Sequence, residues 1–321
     1  MGNLDSLSIL VTGGTGSFGK KFIETVLKEH KPKKVIVFSR DELKQYEMQR
    51  EGFDDPRMRY FIGDVRDRDR LRRAMTGVDI VVHAAALKHV PACEYNPIEA
   101  VKTNIGGAEN IIEAALDSGV KKVLALSTDK AVNPVNLYGA TKLVAEKVFT
   151  QGNAYSGTAK TRFACVRYGN VVGSRGSVIP LFKKQRETGT VTITDERMTR
   201  FWITLEQGVQ FVINSIEEMI GGEVFVPKIP SMKIVDLAEA LAPDCKKKIV
   251  GIRPGEKLHE VLLSEDESRN AMERSDSFVI FPENTTWRKE SWPKSNITDG
   301  FRYASDTNEE WLTVDQLKKM M

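Results

Sequence analysis

Six short runs of β-branched and apolar residues alternate with helix-like stretches over the first 168 residues of this 321-residue chain. Strands are expected at Ser8–Thr12, Lys34–Ser39, Met58–Gly63, Asp79–Ala84, Lys122–Thr128 and Arg162–Tyr168. Most of these runs are continuously apolar, the pattern of strands covered on both faces. Phe18–His30, Glu99–Ser118 and Tyr138–Phe149 read as helices between them. Such alternation needs a crossover between each pair of parallel strands, so the expected class is α/β with a doubly wound parallel Rossmann sheet. The pattern changes near Gly169. Short strands at Val191–Thr194 and Val224–Val226 and helices at Leu205–Met219 and Ile234–Leu241 are separated by Pro- and Gly-containing segments such as Arg253-Pro254-Gly255. The expectation is a Rossmann domain over 1–168 and a smaller mixed α/β substrate-binding domain over 169–321, with room for a strand or helix of the second to return to the first.

Composition narrows the function classes. Lys plus Arg is 47 and Asp plus Glu is 44, so no nucleic-acid partner is implied. The charged run Asp64-Val65-Arg66-Asp67-Arg68-Asp69-Arg70 mixes both signs and reads as a solvated helix face. Cys93, Cys165 and Cys245 are widely separated and odd in number, which argues against a disulfide framework or a zinc site, and no metal is expected. No charged-then-apolar leader opens the sequence, and no apolar run reaches the roughly 20 residues a bilayer requires. A cytoplasmic protein without a membrane partner is expected.

The first strand runs into Thr12-Gly13-Gly14-Thr15-Gly16-Ser17-Phe18-Gly19. Gly13, Gly16 and Gly19 stand between a strand and a helix, where glycine permits a tight turn and a close backbone approach to a pyrophosphate. The helix N-terminus behind them offers free N–H groups to that anion. The loop predicts a dinucleotide. The second strand ends in Ser39-Arg40-Asp41, with Lys44 one turn on. An acidic residue at this point would read the ribose 2′-OH of NAD. A hydroxyl and two cations suit the 2′-phosphate of NADP better. Asp41 stays open as the acidic reader if the register is shifted by one or two. Asp64 and Val65, after the third strand, are placed to meet adenine.

The fifth strand ends in Leu126-Ser127-Thr128-Asp129-Lys130, and Tyr138 and Lys142 follow four residues apart on one helix face. A tyrosine with an ordinary pKa of about 10 needs cationic neighbours to act as a base near neutrality. Lys142 and a cationic nicotinamide are expected to supply them, and Lys142 would also hold the nicotinamide ribose. Asp129 and Lys130 are either a polar strand end or an acid/base pair. As a base, Lys130 needs a pKa well below its usual value of about 10.4; Lys142 and the nicotinamide would push it down, while Asp129 pulls the other way.

Several longer segments carry a specific resemblance. TGGTGSFG (Thr12–Gly19), SRDELKQ (Ser39–Gln45), AALKHVP (Ala85–Pro91), LSTDKAVNPVNLYGATK (Leu126–Lys142), VRYGNVVGSRGSVIP (Val166–Pro180), ITDERMTRFWIT (Ile193–Thr204) and GIRPGEKLHE (Gly251–Glu260) are similar to UDP-N-acetylglucosamine 4,6-dehydratases of the extended short-chain dehydrogenase/reductase type. The likeness covers nearly the whole chain and weakens after about Glu265. It is closest to the soluble C5-inverting branch that opens pseudaminic acid biosynthesis, because larger relatives carry N-terminal membrane helices and often lack the tyrosine.

The resemblance implies NADP as cofactor and UDP-N-acetylglucosamine as substrate. The product would be UDP-2-acetamido-2,6-dideoxy-β-L-arabino-hex-4-ulose, and the assembly a homo-oligomer, a dimer or hexamer. It implies catalytic roles for Thr128, Asp129, Lys130, Tyr138 and Lys142. Tyr138 would take the 4-OH proton, Lys130 the C5 proton, and Asp129 would protonate the departing 6-OH. Thr15, Gly16, Ser17 and Phe18 would hold the pyrophosphate; Ser39, Arg40, Asp41, Glu42, Leu43 and Lys44 would hold the adenosine end. Ala84, Lys88, Val171, Val172, Gly173, Ser174 and Arg175 would flank the nicotinamide. Lys88, Leu126, Ser127, Asn170, Val178, Thr194, Arg253 and Glu256 would meet the nucleotide sugar. Arg253 suits a diphosphate and Glu256 a ribose, although either also reads as a surface ion-pair residue. His83 reads as a core histidine. The alternatives to a dehydratase are an NADP-dependent nucleotide-sugar 4-epimerase or reductase, and a non-catalytic NADP-binding regulator.

Overall fold

The computed structural model describes residues 4–157, 160–173, 178–283, 287–288 and 292–320. Strands β1 (Ser8–Thr12), β2 (Lys34–Ser39), β3 (Met58–Ile62), β4 (Ile80–His83), β5 (Lys122–Thr128) and β6 (Arg162–Tyr168) lie parallel in the order β3-β2-β1-β4-β5-β6. The central strands are buried along their whole length, as their unbroken apolar runs demand; Ile9, Leu10 and Val11 are fully buried. The edge strand β3 has a mixed pattern with exposed Arg59 and Ile62, because only one neighbour covers it.

The sheet does not end at β6. Val224–Pro227 pairs parallel to β6, and Ser277–Ile280 and Ala271–Glu273 extend it antiparallel to nine strands. The stretch after Glu265 therefore supplies two strands to the main sheet, and a division of the chain at residue 168 would cut through that sheet. The remaining elements form a smaller lobe. The strand Thr199–Ile203 pairs with Asn170–Val171 and Ser231–Lys233, and Thr190–Ile193 pairs with Lys246–Ile249. Phe182, Val191, Trp202, Met232, Leu237 and Leu317 pack there into a core of their own.

The long helix expected at Glu99–Ser118 is interrupted. Pro97–Val101 is α-helical, Lys102–Gly106 widens to a π turn, and Gly107–Ser118 resumes. Such widened turns collect at functional sites. Here the turn aims Asn104 inward. Its amide donates to Leu87 O (2.9 Å) and Thr141 Oγ1 (3.0 Å), and its carbonyl accepts from Leu87 N (2.9 Å). The loop after β4 is thereby tied to the helix Leu137–Gln151. Among the described residues no helix is long and apolar enough to cross a membrane.

Candidate active site

Strand order reverses between β1 and β4, and ligands of open α/β sheets bind at that point, beyond the carboxyl ends of the strands. A cleft of about 1270 Å³ opens there and runs into the smaller lobe. Its first wall is the glycine loop. Gly13 has φ +66°, and a Cβ on it would stand 3.0 Å from the Ala85 backbone. A Cβ on Gly19 would come within 2.5 Å of Gly14 Cα, so the third glycine lets helix α1 (Ser17–Glu29) pack on the loop. Gly16 caps α1 without any side-chain hydrogen bond to its first N–H groups. These groups face the cleft, a cradle that fits a pyrophosphate.

Along the same wall, Thr15 Oγ1 and Ser39 Oγ are hydrogen-bonded at 3.0 Å. Asp41 caps the helix Glu42–Arg50, accepting from Lys44 N (3.0 Å), while its other oxygen pairs with Lys44 Nζ (2.7 Å). The bond from the Lys44 side chain holds the Asp41 carboxyl below its usual range. Arg40, half exposed, reaches Asp64 Oδ2 at 3.4 Å. Ser39, Arg40, Asp41, Lys44, Asp64, Val65, Ala84, Lys88 and Val171 line the cleft, whereas Glu42 and Leu43 are exposed on their helix and do not. Val172 and Gly173 follow Val171 away from the lining, and Ser174 and Arg175 lie outside the described residues.

The catalytic segment sits where β5 ends. Asp129–Ala131 forms a single 3-10 turn, capped by Thr128, and the helix Leu137–Gln151 docks on it. Glycine makes that docking possible: a Cβ on Gly139 would stand 2.2 Å from Lys130 O. Asp129 is fully buried. Its Oδ1 accepts from Thr128 Oγ1 (2.8 Å) and from Lys130 Nζ (3.0 Å), and its Oδ2 has no hydrogen-bond partner. Lys130 Nζ also reaches Asn170 Oδ1 at 3.4 Å. Tyr138 is buried, and Lys142 Nζ donates to Leu126 O at 2.6 Å. His83 is buried against Thr12 Oγ1 (2.8 Å), and burial pushes its pKa down to about 3, so it remains a neutral core group.

The charge balance differs from the expectation at two residues. Burial works to lower the pKa of Lys130, but Asp129 and Glu260 outweigh it and hold the side chain above its ordinary value. Asp129 is adjacent and Glu260 lies 3.5 Å away, whereas Lys142 is directed to the Leu126 carbonyl. Tyr138 is likewise pushed up to about 12 by burial, and the cation opposing this rise is Lys130, helped by a hydrogen bond with Thr128. Burial lowers Lys142 and also Lys88, the latter with the charge of Lys130 adding to the effect.

Leu126, Ser127, Asn170, Val178, Thr194, Arg253 and Glu256 all line the cleft. Arg253 and Glu256 pair with each other at 3.8 Å on its rim, so an ion pair and a cleft position coincide in them. Asn136, the cap of the Leu137–Gln151 helix, donates to Gly255 O (2.8 Å) and anchors this loop. Glu260, Arg200 and Lys257 were not singled out from sequence, yet they surround Lys130. They lie within the similar segments GIRPGEKLHE and ITDERMTRFWIT, but nothing in their spacing predicts contact with a residue more than 60 positions away.

The family model described as "Polysaccharide biosynthesis protein" matches residues 9–282. The inverting UDP-N-acetylglucosamine 4,6-dehydratase of Campylobacter jejuni serotype O:2 is 55% identical over 98% of this chain and 97% of its own. Among solved structures, Pen from Bacillus thuringiensis superposes with a TM-score of 0.89 at 41% identity, covering 99% of this chain and 98% of that one. DesIV, a dTDP-glucose 4,6-dehydratase from Streptomyces venezuelae solved with NAD and TYD, gives 0.70 at 25% identity over 78% of this chain and 87% of that one. With the glycine cradle, the buried acid–lysine pair and the Tyr138/Lys142 helix in one cleft, the chain belongs to the polysaccharide biosynthesis protein family and, within it, to the inverting UDP-N-acetylglucosamine 4,6-dehydratases.

Proposed function

We propose that this protein is a hydro-lyase that removes water from UDP-N-acetylglucosamine across C5 and C6, inverting C5 and using NADP. The observation that carries the reading is the Asp129–Lys130 pair, joined at 3.0 Å beside Tyr138 at the end of β5. A reductase or 4-epimerase has no use for an acid and a base there. When bound, the nicotinamide would accept hydride from C4 and return it at C6, so no net oxidation results. Tyr138, which needs the charge of a bound nicotinamide in addition to Lys130 to reach its phenolate, takes the 4-OH proton, and the 4-ketone formed acidifies C5–H.

The raised pKa of Lys130 then acquires a meaning. Asp129 and Lys130 rest as an ion pair, in which neither has the protonation state its role needs. Moving one proton along their hydrogen bond leaves an amine and a carboxylic acid, the required base and acid together. Lys130 takes the C5 proton and Asp129 gives its proton to the departing 6-OH. Water leaves, and the ion pair is restored; hydride return to C6 then requires one new proton at C5, which balances the proton that Tyr138 took from the 4-OH.

Incubation of purified protein with UDP-N-acetylglucosamine should yield a product lighter by one water, without added reductant, as read by mass spectrometry. A product of unchanged mass would sink this reading and favour an epimerase. Proton NMR in deuterated water should place deuterium at C5 and report the configuration there.

Ser39 and Arg40 stand at the end of β2, and both Asp41 oxygens are engaged by Lys44, which supports NADP over NAD. Arg40→Ala should weaken NADPH binding about 10- to 100-fold, the range for losing a hydrogen bond to a charged group, and leave NADH binding nearly unchanged. Equal losses for both, measured by fluorescence titration, would remove Arg40 as the reader of the 2′-phosphate. The family likeness further supports a cytoplasmic homo-oligomer at the head of a pseudaminic acid route.

A further inference from the structure

Glu260 is a buried carboxylate for which the roles above leave no task. Its side chain is 3% exposed. Oε1 stands 3.5 Å from Lys130 Nζ and 3.8 Å from Arg200 Nε; Oε2 stands 3.7 Å from Lys257 Nζ and has no hydrogen-bond partner. Arg200 and Lys257 are themselves fixed by backbone carbonyls. Arg200 donates to Thr199 O, Leu258 O and Lys257 O, and Lys257 donates to Val132 O at 2.5 Å. The Glu260 backbone N donates to Ser305 Oγ at 2.9 Å. Two fixed cations, Arg200 and Lys257, thus face this buried carboxylate.

Lys130 thus lies between two carboxylates, and in the proposed reaction they cannot serve it alike. Asp129 must carry a proton until the 6-OH departs. While it does, it is no counter-ion. The C5 proton that reaches Lys130 in that interval creates an ammonium whose remaining carboxylate partner is Glu260. We propose that Glu260 is a positioning residue for the C5 step: it supplies the negative charge that stabilises the Lys130 ammonium while Asp129 is protonated. This role rests on the dehydratase reading.

The groups facing Lys130 set the sign of the test. They are Asp129 beside it, Asn170 after β6, Glu260 and Lys257 from the Gly251–Glu260 segment, Arg200 from the Thr199–Ile203 strand, and Lys88 and Tyr138 across the cleft. Glu260→Gln keeps the shape and removes the charge. It lowers the affinity of the Asp129–Lys130 pair for protons, so both limbs of the kcat–pH profile move to lower pH, by about one unit for loss of an opposite charge at this range. The maximal kcat falls about 10- to 100-fold. Glu260→Asp keeps the charge and leaves both limbs within a few tenths of their original place. Lys257→Met removes a cation from the other oxygen and moves both limbs to higher pH, which gives a second reading of opposite sign should Glu260→Gln fold poorly. NADPH affinity, measured on each variant, stays unchanged.

Limbs that do not move in Glu260→Gln, or an equal loss in Glu260→Asp without any shift, would leave Glu260 a purely structural group and overturn the proposal. If Glu260→Gln does not fold, unmoved limbs in Lys257→Met overturn it. A wild-type protein that removes no water overturns the dehydratase reading and this role together; a dehydrating wild type with unmoved limbs overturns this role alone.

Discussion

Lys130→Ala should lower the rate of water loss from UDP-N-acetylglucosamine by about 10³-fold or more, within the range of a positioned general base. Among the described residues, two side chains hydrogen-bond to the Asp129 carboxylate: Lys130 Nζ, which can exchange a proton with it and lines the cleft, and the Thr128 hydroxyl, which is no base at neutral pH. Removing the amine also leaves Asp129 buried without its cation, so the acid loses its proton source along with the base. NADPH binding should persist, because the glycine loop and Ser39–Lys44 lie at the other end of the cleft. The two measurements separate the roles: dehydration by mass spectrometry, cofactor affinity by fluorescence. A fully active variant would refute Lys130 as the base, and loss of cofactor affinity would point to general damage.

The second large effect is expected at Arg167, which does not line the cleft. Arg167 lies on β6 and is fully buried. Its guanidinium grips Glu146, one turn beyond Lys142 on the catalytic helix, and also donates to Glu267 (2.8 and 3.0 Å) and to Leu262 O (2.8 Å). One side chain therefore joins the Rossmann sheet, the Tyr138/Lys142 helix and the C-terminal part of the chain. Arg167→Met strands the buried Glu146 and the partly buried Glu267, and losing one partner of a buried pair costs about 3–5 kcal/mol. Urea unfolding near neutral pH should show that loss; a cost under about 1 kcal/mol would mean that water or rearrangement satisfies both carboxylates.

The same network carries a pH signature. Burial alone would raise the Glu267 carboxyl, but Arg167 outweighs it and holds the pKa down to about 2, against 4.5 for the unperturbed group. A group whose folded pKa is depressed stabilises the fold above its unfolded value and loses that contribution as the pH falls through the folded value. The stability difference between wild type and Glu267→Gln should thus be full above pH 4.5 and fade toward pH 2. A difference that stays constant across this window would exclude the coupling.

The fold was legible because its signals are local. Continuous apolar runs require burial on both faces, and the glycines require a turn and a close approach; both are properties of a few adjacent residues. β1, β2, β5 and β6 accordingly lie within the expected bounds. What was not legible depends on distance through space. The π turn at Lys102–Gly106 follows from where Asn104 meets Leu87 and Thr141, which no helical period encodes. The strands Ala271–Glu273 and Ser277–Ile280 are short, and only the open edge beyond Val224–Pro227 gives them a partner.

The same division holds at the site. By itself the sequence determined a dinucleotide loop, a Tyr138/Lys142 helix face and an adjacent Asp129–Lys130 pair, since each is set by short-range spacing along a strand end or a helix. Only the tertiary structure decided the charge those groups carry. It buries the pair and brings Glu260 to 3.5 Å from Lys130 from a position far along the chain; Asp129 and Glu260 together outweigh the burial that would otherwise neutralise the amine, against the opposing charge of Arg200.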